Sequence, residues 1–181
     1  RNKHLIHFIL LHAAVGFTAF DSLVTLLADF HYKYVIAVPL AIGITNATRS
    51  LALMIGPLLI TNWVNKERVY YIFLFQGFAI IVWGLLQNDF YLGLFAVFLT
   101  GFVSTTLWSH TYAMLQERVE QKYLGRVLAY NEMAFMLSMA LTTMFIGIMA
   151  NYVTLNVITI ALGVAFLLVA VYYKKVISWN I

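Results

Sequence analysis

The sequence predicts an all-α membrane protein with six transmembrane helices. Of its 181 residues, 63% are hydrophobic and only 10% are charged, and the mean hydropathy is +0.88. A soluble domain has about 25% charged residues, so this chain lacks the polar surface that water requires. Its apolar residues also gather into stretches of about 20 residues or more, the length that crosses a bilayer as a helix.

Six such stretches follow one another and predict a single bundle over the whole chain. The second is longer than one span requires and contains Pro39 and Pro57, so we expect it to tilt or kink. Helices one to three and four to six run in opposite directions, which permits a three-plus-three inverted repeat. The predicted helices cover residues 5–28, 34–64, 69–86, 90–115, 126–150 and 153–173, with a polar loop at 116–125.

The placement of Lys and Arg predicts the orientation of the bundle. The chain has 11 of these residues, and most fall at one end of the predicted helices, whereas the other end holds only Lys33. Because cytoplasmic loops are rich in Lys and Arg, both termini are predicted to be cytoplasmic. The residues at the basic end are Arg1, Lys3, Lys66, Arg68, Arg118, Lys122, Arg126, Lys174 and Lys175.

Motifs for enzymatic chemistry do not occur in the sequence. There is no cysteine, and there is no phosphate-binding loop, nucleophile elbow or zinc signature. We therefore predict no cofactor, no metal site, no nucleic-acid partner and no enzymatic activity. The expected partners are the lipid bilayer and a small solute.

Ionisable residues inside a span are costly, so each is a candidate functional residue. Asp21 lies outward of the middle of helix one, and Arg49 lies near the middle of helix two. At about 1.5 Å rise per residue, their backbones differ by roughly 7 Å in depth, which an arginine side chain can cover. The pair is predicted to form a substrate site or a coupling switch, or equally to hold the two helices together.

Helices four and five each carry an ionisable residue about two turns from their shared polar loop. His110 and Glu132 therefore lie at one depth and could exchange a proton near neutral pH. The favoured alternative is that Glu132 acts as a cap or pairs with a loop cation such as Arg126 at the inner rim. His12, near mid-span in helix one, would face a polar cavity or be a satisfied buried histidine. Gln76 would line a water-filled path or form an interhelical hydrogen bond.

Small residues predict where helices approach closely. Gly43, Ala47 and Ser50 lie on one flank of helix two, and Gly147 lies in helix five. Small side chains let helix backbones come together in membranes. We therefore expect close helix contact at these positions.

The polar loop carries the residues that most resemble a known family. Gln116 precedes the loop, and Gly125-Arg126-Val127 leads from it into the next helix. This pattern resembles the connection between the tenth and eleventh helices of major facilitator superfamily transporters. The stretch from Asn46 to Arg49 and on to Gly56-Pro57 is similar to the family's eighth helix. The chain thus resembles the C-terminal six-helix half of such a transporter.

That resemblance implies a secondary transporter that moves a small solute by alternating access. It implies an N-terminal six-helix half of the same protein as partner, and a cavity lined by the first, second, fourth and fifth helices. Likeness to bacterial exporting members implies proton-driven efflux across the inner (plasma) membrane. Gating residues would lie in the cytoplasmic loops, and the candidates are Gly125, Arg126, Lys66 and Arg68.

Two alternatives remain open at the level of sequence. The chain could be a self-contained six-helix protein that acts as a channel or as a dimeric transporter. It could also be a membrane scaffold that transports nothing. Ionisable groups at mid-membrane argue against a scaffold, because a scaffold has little need of such costly residues.

Overall fold

The computed structural model of the chain describes residues 4–178 and is all-helical over that range. Six segments are long and apolar enough to cross a membrane, which confirms the predicted fold class. We call them the first to sixth spans: Leu5–Phe30, Val38–Trp63, Val69–Leu86, Phe90–Gln116, Leu124–Met149 and Leu155–Ser178. Arg1 and Lys3, used in the charge count, lie outside the described residues.

Seven α-helices build these six spans, because the first span contains two of them. Short 3₁₀ turns at Val15–Thr18, Tyr32–Tyr34 and Thr61–Trp63 extend or join the helices. The helices are α1 (His4–Ala14), α2 (Phe20–Phe30), α3 (Val38–Ile60), α4 (Val69–Leu86), α5 (Phe90–Gln116), α6 (Leu124–Met149) and α7 (Leu155–Ser178).

The first span is broken, whereas the sequence predicted one continuous helix over 5–28. Ala19 adopts a left-handed conformation with φ 32° and ψ 41°, which ends the 3₁₀ turn and starts α2. An L-residue pays an energetic cost in this region, so the surrounding packing must hold it there. Gly16 sits beside the α6 backbone, where an added Cβ would lie 3.0 Å from the Phe135 carbonyl oxygen. The break therefore lies at a close approach between the first and fifth spans.

The second span contains Pro57 inside α3, and a neighbouring helix compensates for it. Proline has no N–H, so the carbonyl of Leu53 loses its helical donor. The hydroxyl of Thr105 on α5 donates to the Leu53 carbonyl oxygen at 3.1 Å. The predicted start at residue 34 moves to Val38, because Ala37 is extended and Pro39 fits the first helical turn.

Glycines set the closest helix contacts. On α3, a Cβ added to Gly56 would overlap the Phe102 carbonyl oxygen on α5. Gly77 on α4 and Gly163 on α7 lie back to back, because a Cβ on either would come within 3.0 Å of the other's carbonyl oxygen. The α3–α5 and α4–α7 pairs are thus packed backbone against backbone, as small residues allow in membranes.

The small residues singled out from the sequence do not face the other described helices of this chain. Gly43, Ala47 and Ser50 are all exposed, as is Gly147. A Cβ added at Gly43 or Gly147 would meet no atom within 4 Å among the described residues. Residue size reveals where close packing is possible but not which flank of a helix faces its neighbours.

The polar loop is shorter than the predicted 116–125. Helix α5 continues to Gln116 and α6 begins at Leu124, so Gly125, Arg126 and Val127 form the first helical turn. Backbone bonds from Tyr123 to Glu120 and from Val127 to Tyr123 close the turn and start the helix. Gly125 and Arg126 are both exposed.

Candidate functional site

A cavity of about 350 Å³, which we call the central cavity, opens between four of the six spans. The first, second, fourth and fifth spans contribute its walls, whereas no residue of the third or sixth does. One cation, Arg49, stands among hydroxyl, aliphatic and aromatic side chains there. The lining residues are Val15, Thr18, Arg49, Leu53, Ser104, Thr105, Trp108 and Phe135.

A small void of about 10 Å³, which we call the inner pocket, adjoins the central cavity. The two share Thr18, Arg49 and Ser104 as lining residues. The inner pocket reaches the third span, which adds Gln76, Ile80 and Trp83, and it is completed by Phe20 and Thr100.

Arg49 does not form the predicted ion pair with Asp21. Its guanidinium lies over the Phe20 ring at 4.2 Å from the centroid. Within the described chain, no carboxylate comes within 4.0 Å of it, although Asp21 still acts on it electrostatically. Asp21 is exposed, because the break at Ala19 starts a new helix whose first turn places this residue outside the bundle core. Arg49 thus enters the cavity wall as a cation without a close counter-ion.

Gln76 is buried, with only 1% of its surface exposed. The Ser104 hydroxyl lies 3.2 Å from Gln76 Oε1 and 2.7 Å from the Thr100 carbonyl oxygen. One hydroxyl hydrogen cannot serve both acceptors fully, and the shorter contact is the better bond. Gln76 Nε2 has no partner among the described residues. An unpaired buried amide donor is costly, so it marks a position where a ligand acceptor would be favourable.

A second polar cluster joins the first, fourth and fifth spans around His12, which is fully buried. His12 Nδ1 lies 2.9 Å from the Thr111 hydroxyl oxygen. Because that hydroxyl donates to the Leu107 carbonyl at 2.8 Å, its oxygen accepts a hydrogen from His12 Nδ1. In the neutral ring, Nε2 then carries a lone pair, and it faces Glu132 Oε1 at 3.9 Å.

Glu132 therefore meets His12 rather than His110, and the predicted His110–Glu132 pair is not formed. His110 and Thr111 are consecutive on α5, so their side chains diverge by about 100° around the helix axis. Thr111 turns toward the first span, whereas His110 turns toward the second and lines a cavity of about 300 Å³ with Pro57 and Thr106. The alternative pairing with Arg126 is also absent, since no ion pair joins these two described residues.

Glu132 links the buried cluster to the exterior of the chain. Its side chain is 38% exposed, while His12 is 0% exposed. Trp108, Tyr112 and Phe135 enclose the imidazole, with Trp108 the nearest at 4.4 Å between ring centroids. Aromatic rings thus screen His12 Nε2, and the Glu132 carboxylate lies between this atom and the exterior.

The basic end of the bundle holds an ion pair between two loops. Lys66 Nζ donates to Glu117 Oε2 at 2.8 Å, which joins the loop after the second span to the end of the fourth. This hydrogen bond is the main reason that the pKa of Glu117 is lowered. Arg68 donates to the Trp63 carbonyl oxygen at 3.0 Å and stacks over the Trp63 ring.

Another cavity, of about 550 Å³, is almost wholly apolar. It lies between the first, fifth and sixth spans, and its only polar side chains are Ser138 and Thr142. With no charged residue in its wall, it lacks the groups to orient a polar solute. No set of three or more His, Cys, Asp or Glu able to hold a metal is found among the described residues.

Sequence reasoning missed three residues that complete these clusters, namely Trp83, Trp108 and Thr111. Each is a common residue type in an apolar helix, and nothing in its spacing distinguishes it from core packing. Thr111 could have been found only by asking which neighbour of His110 would face the first span.

Six apolar spans with polar side chains buried between them define a polytopic helical membrane protein. The family model of the Major Facilitator Superfamily matches residues 6–178. The chain therefore belongs to this superfamily of transporters, and the resemblance drawn from the polar loop is confirmed. Comparisons with curated proteins and with solved structures gave no significant match.

Proposed function

We propose that the chain is the C-terminal six-helix half of a proton-coupled transporter that works by alternating access, and that His12 and Glu132 carry the coupled proton. The observation that supports coupling is the 3.9 Å separation between His12 Nε2 and Glu132 Oε1, with the other ring nitrogen fixed by Thr111. The resemblance to exporting members makes solute export in exchange for inward protons the direction we propose.

The pair can hold one proton in either of two nearly neutral arrangements. The proton sits on the carboxyl beside a neutral imidazole, or on the imidazole beside a carboxylate. A charged imidazole alone in this aromatic enclosure would be costly, whereas the carboxylate compensates for it. Closing the gap by about 1 Å gives a hydrogen bond of normal length. A conformational change that opens or closes this gap would therefore take up or release a proton.

The second and fifth spans have faces suited to another six-helix half. In their apolar cores only 17% and 11% of residues are buried within the chain, compared with 39–56% in the other four spans. The exposed small residues Gly43, Ala47 and Ser50 lie on the second span, and Gly147 lies on the fifth. Small residues permit close helix approach, so we propose that these faces pack against the N-terminal half and enclose the central cavity.

Lys66 and Glu117 form the gating contact in this proposal, at the end of the bundle that the charge count assigns to the cytoplasm. Their ion pair closes the gap between the second and fourth spans on that side. Opening toward the cytoplasm requires its separation, which costs little because both side chains are more than half exposed. The proposed location is the bacterial inner membrane, with both termini cytoplasmic.

Reconstitution of the complete natural chain in proteoliposomes tests this function. A pH gradient is imposed, and a solute panel is screened for gradient-dependent movement across the vesicle membrane. We expect at least one solute to accumulate on the acidic side, and a protonophore to abolish that accumulation. Solute movement that is unaffected by both the pH gradient and the protonophore would contradict proton coupling.

A further inference from the structure

Hydrogen-bond donors without acceptors gather around the inner pocket. Gln76 Nε2 and Trp83 Nε1 are buried and have no partner among the described residues. Both residues line the pocket, and their exposed fractions are 1% and 2%. Arg49 lines the same pocket and adds a guanidinium with no carboxylate within 4.0 Å in the described chain. Among the described residues, two N–H groups without an acceptor and one guanidinium without a nearby carboxylate thus lie at one site.

Three hydroxyl groups of the pocket direct their hydrogens to backbone carbonyl oxygens. Thr18 donates to the Val15 carbonyl, Thr100 donates to the Val97 carbonyl at 2.8 Å, and Ser104 donates to the Thr100 carbonyl. These hydroxyl hydrogens are therefore used within their own helical segments. What remains available is one positive charge and two neutral N–H donors, a set suited to anionic oxygen atoms.

The adjoining central cavity has a mainly apolar wall. Away from Arg49, its wall includes Val15, Leu53, Trp108 and Phe135. The Trp108 and Phe135 rings meet edge to face, with their centroids 4.6 Å apart and an angle of 89° between the ring planes. Such a wall favours an apolar or aromatic body and has no carboxylate to receive a cation.

We propose that the transported solute is a small organic anion whose carboxylate binds Arg49 where the central cavity meets the inner pocket, while its apolar body occupies the central cavity. This assignment rests on the proposed transport function and names the solute class for it. Arg49 offers the parallel N–H pair that fits a carboxylate. The inner pocket has room for about one water molecule, which would accept from the Gln76 amide and the Trp83 indole and donate to the carboxylate. A cationic solute would meet Arg49 unfavourably, and a neutral one would leave its charge uncompensated.

Three probes test which head group the site prefers. Benzoate, benzamide and benzylamine share a phenyl ring and carry an anionic, a neutral and a cationic head group respectively. Their binding to the purified complete natural chain is measured at pH 7 by isothermal titration calorimetry. We expect benzoate to bind at least about tenfold more tightly than the other two, since a charged hydrogen-bond partner differs from a neutral one by at least this factor. Arg49→Gln should remove this preference.

Gln76→Leu provides a variant in which folding and binding respond differently. Leucine has a similar size and removes an unpaired buried donor, so the unfolding temperature should stay the same or rise. Benzoate affinity should nevertheless fall about tenfold. Gln87→Leu is the matched control, because Gln87 is also fully buried with an unpaired Nε2 but does not line the pocket. This control should leave benzoate affinity unchanged.

The assignment is overturned if benzamide or benzylamine binds as tightly as benzoate, if no probe binds, or if Gln76→Leu keeps wild-type affinity. Gradient-driven transport of a cationic or neutral solute in proteoliposomes would leave the proposed function standing and reject only the anion site. Failure of all gradient-driven transport beside normal benzoate binding would reject proton coupling and keep the anion site.

Discussion

Gly56→Ala tests whether the second and fourth spans meet backbone to backbone. The added methyl carbon would overlap the Phe102 carbonyl oxygen and lie 2.7 Å from its carbonyl carbon. Carbon atoms prefer a separation of about 3.5–4.0 Å, so the contact with the carbonyl carbon alone requires the two helices to part by roughly 1 Å, and the overlap with the oxygen requires more. Overpacking of this kind costs typically 1–3 kcal/mol. Because both clash partners are backbone atoms, we expect a loss near the upper end, about 3 kcal/mol.

Gly125→Ala is the control, since it makes the same change at an exposed glycine in the first turn of α6. An added methyl at Gly125 meets nothing within 4 Å among the described residues. Alanine favours a helix by up to about 1 kcal/mol over glycine, so this variant should be equally or more stable. Reversible unfolding in detergent gives both free energies of unfolding. If the two variants have equal stability, the proposed α3–α5 contact is incorrect.

Three further predictions follow from individual contacts. Thr105→Val removes the donor to the Leu53 carbonyl beside Pro57 and should cost about 1 kcal/mol in detergent unfolding, whereas Thr105→Ser should retain it. Gly163→Ala should lower stability by about 2 kcal/mol, because its methyl would lie 2.9 Å from a backbone oxygen of α4. Lys66→Met should lower the unfolding temperature slightly at pH 7, and this difference from the wild type should shrink as the pH falls below 4.5. Lys66 lowers the pKa of Glu117, so its stabilising effect is complete above pH 4.5 and is lost as pH falls through the lowered pKa.

The six spans were predictable because the length and hydropathy of each stretch determine whether it can cross a bilayer. The break at Ala19 was not, since no proline marks it and tertiary packing against α6 holds the strained residue. This break also explains why Asp21 fails to reach Arg49. Their depths were estimated as though one continuous helix carried Asp21, and the new helix start changes where its side chain points.

Sequence placed His110 and Glu132 at one depth but could not give the rotation of α5. A difference of one residue turns a side chain by about 100°, which is enough to send His110 to the second span and Thr111 to the first. His12 was recognised as a candidate, but its partner depends on which helices are neighbours. Depth along a helix is therefore readable from sequence, while the rotation and neighbours of that helix come from packing.

Glu132→Gln provides the most direct test of proton coupling. For a solute found in the proteoliposome screen, this variant should exchange solute across the membrane but lose accumulation driven by a pH gradient, because the glutamine side chain does not take up or release a proton near neutral pH. Glu120→Gln, an exposed change in the polar loop, should behave like the wild type. Gradient-driven accumulation that survives in Glu132→Gln would contradict the assignment of the coupled proton to His12 and Glu132.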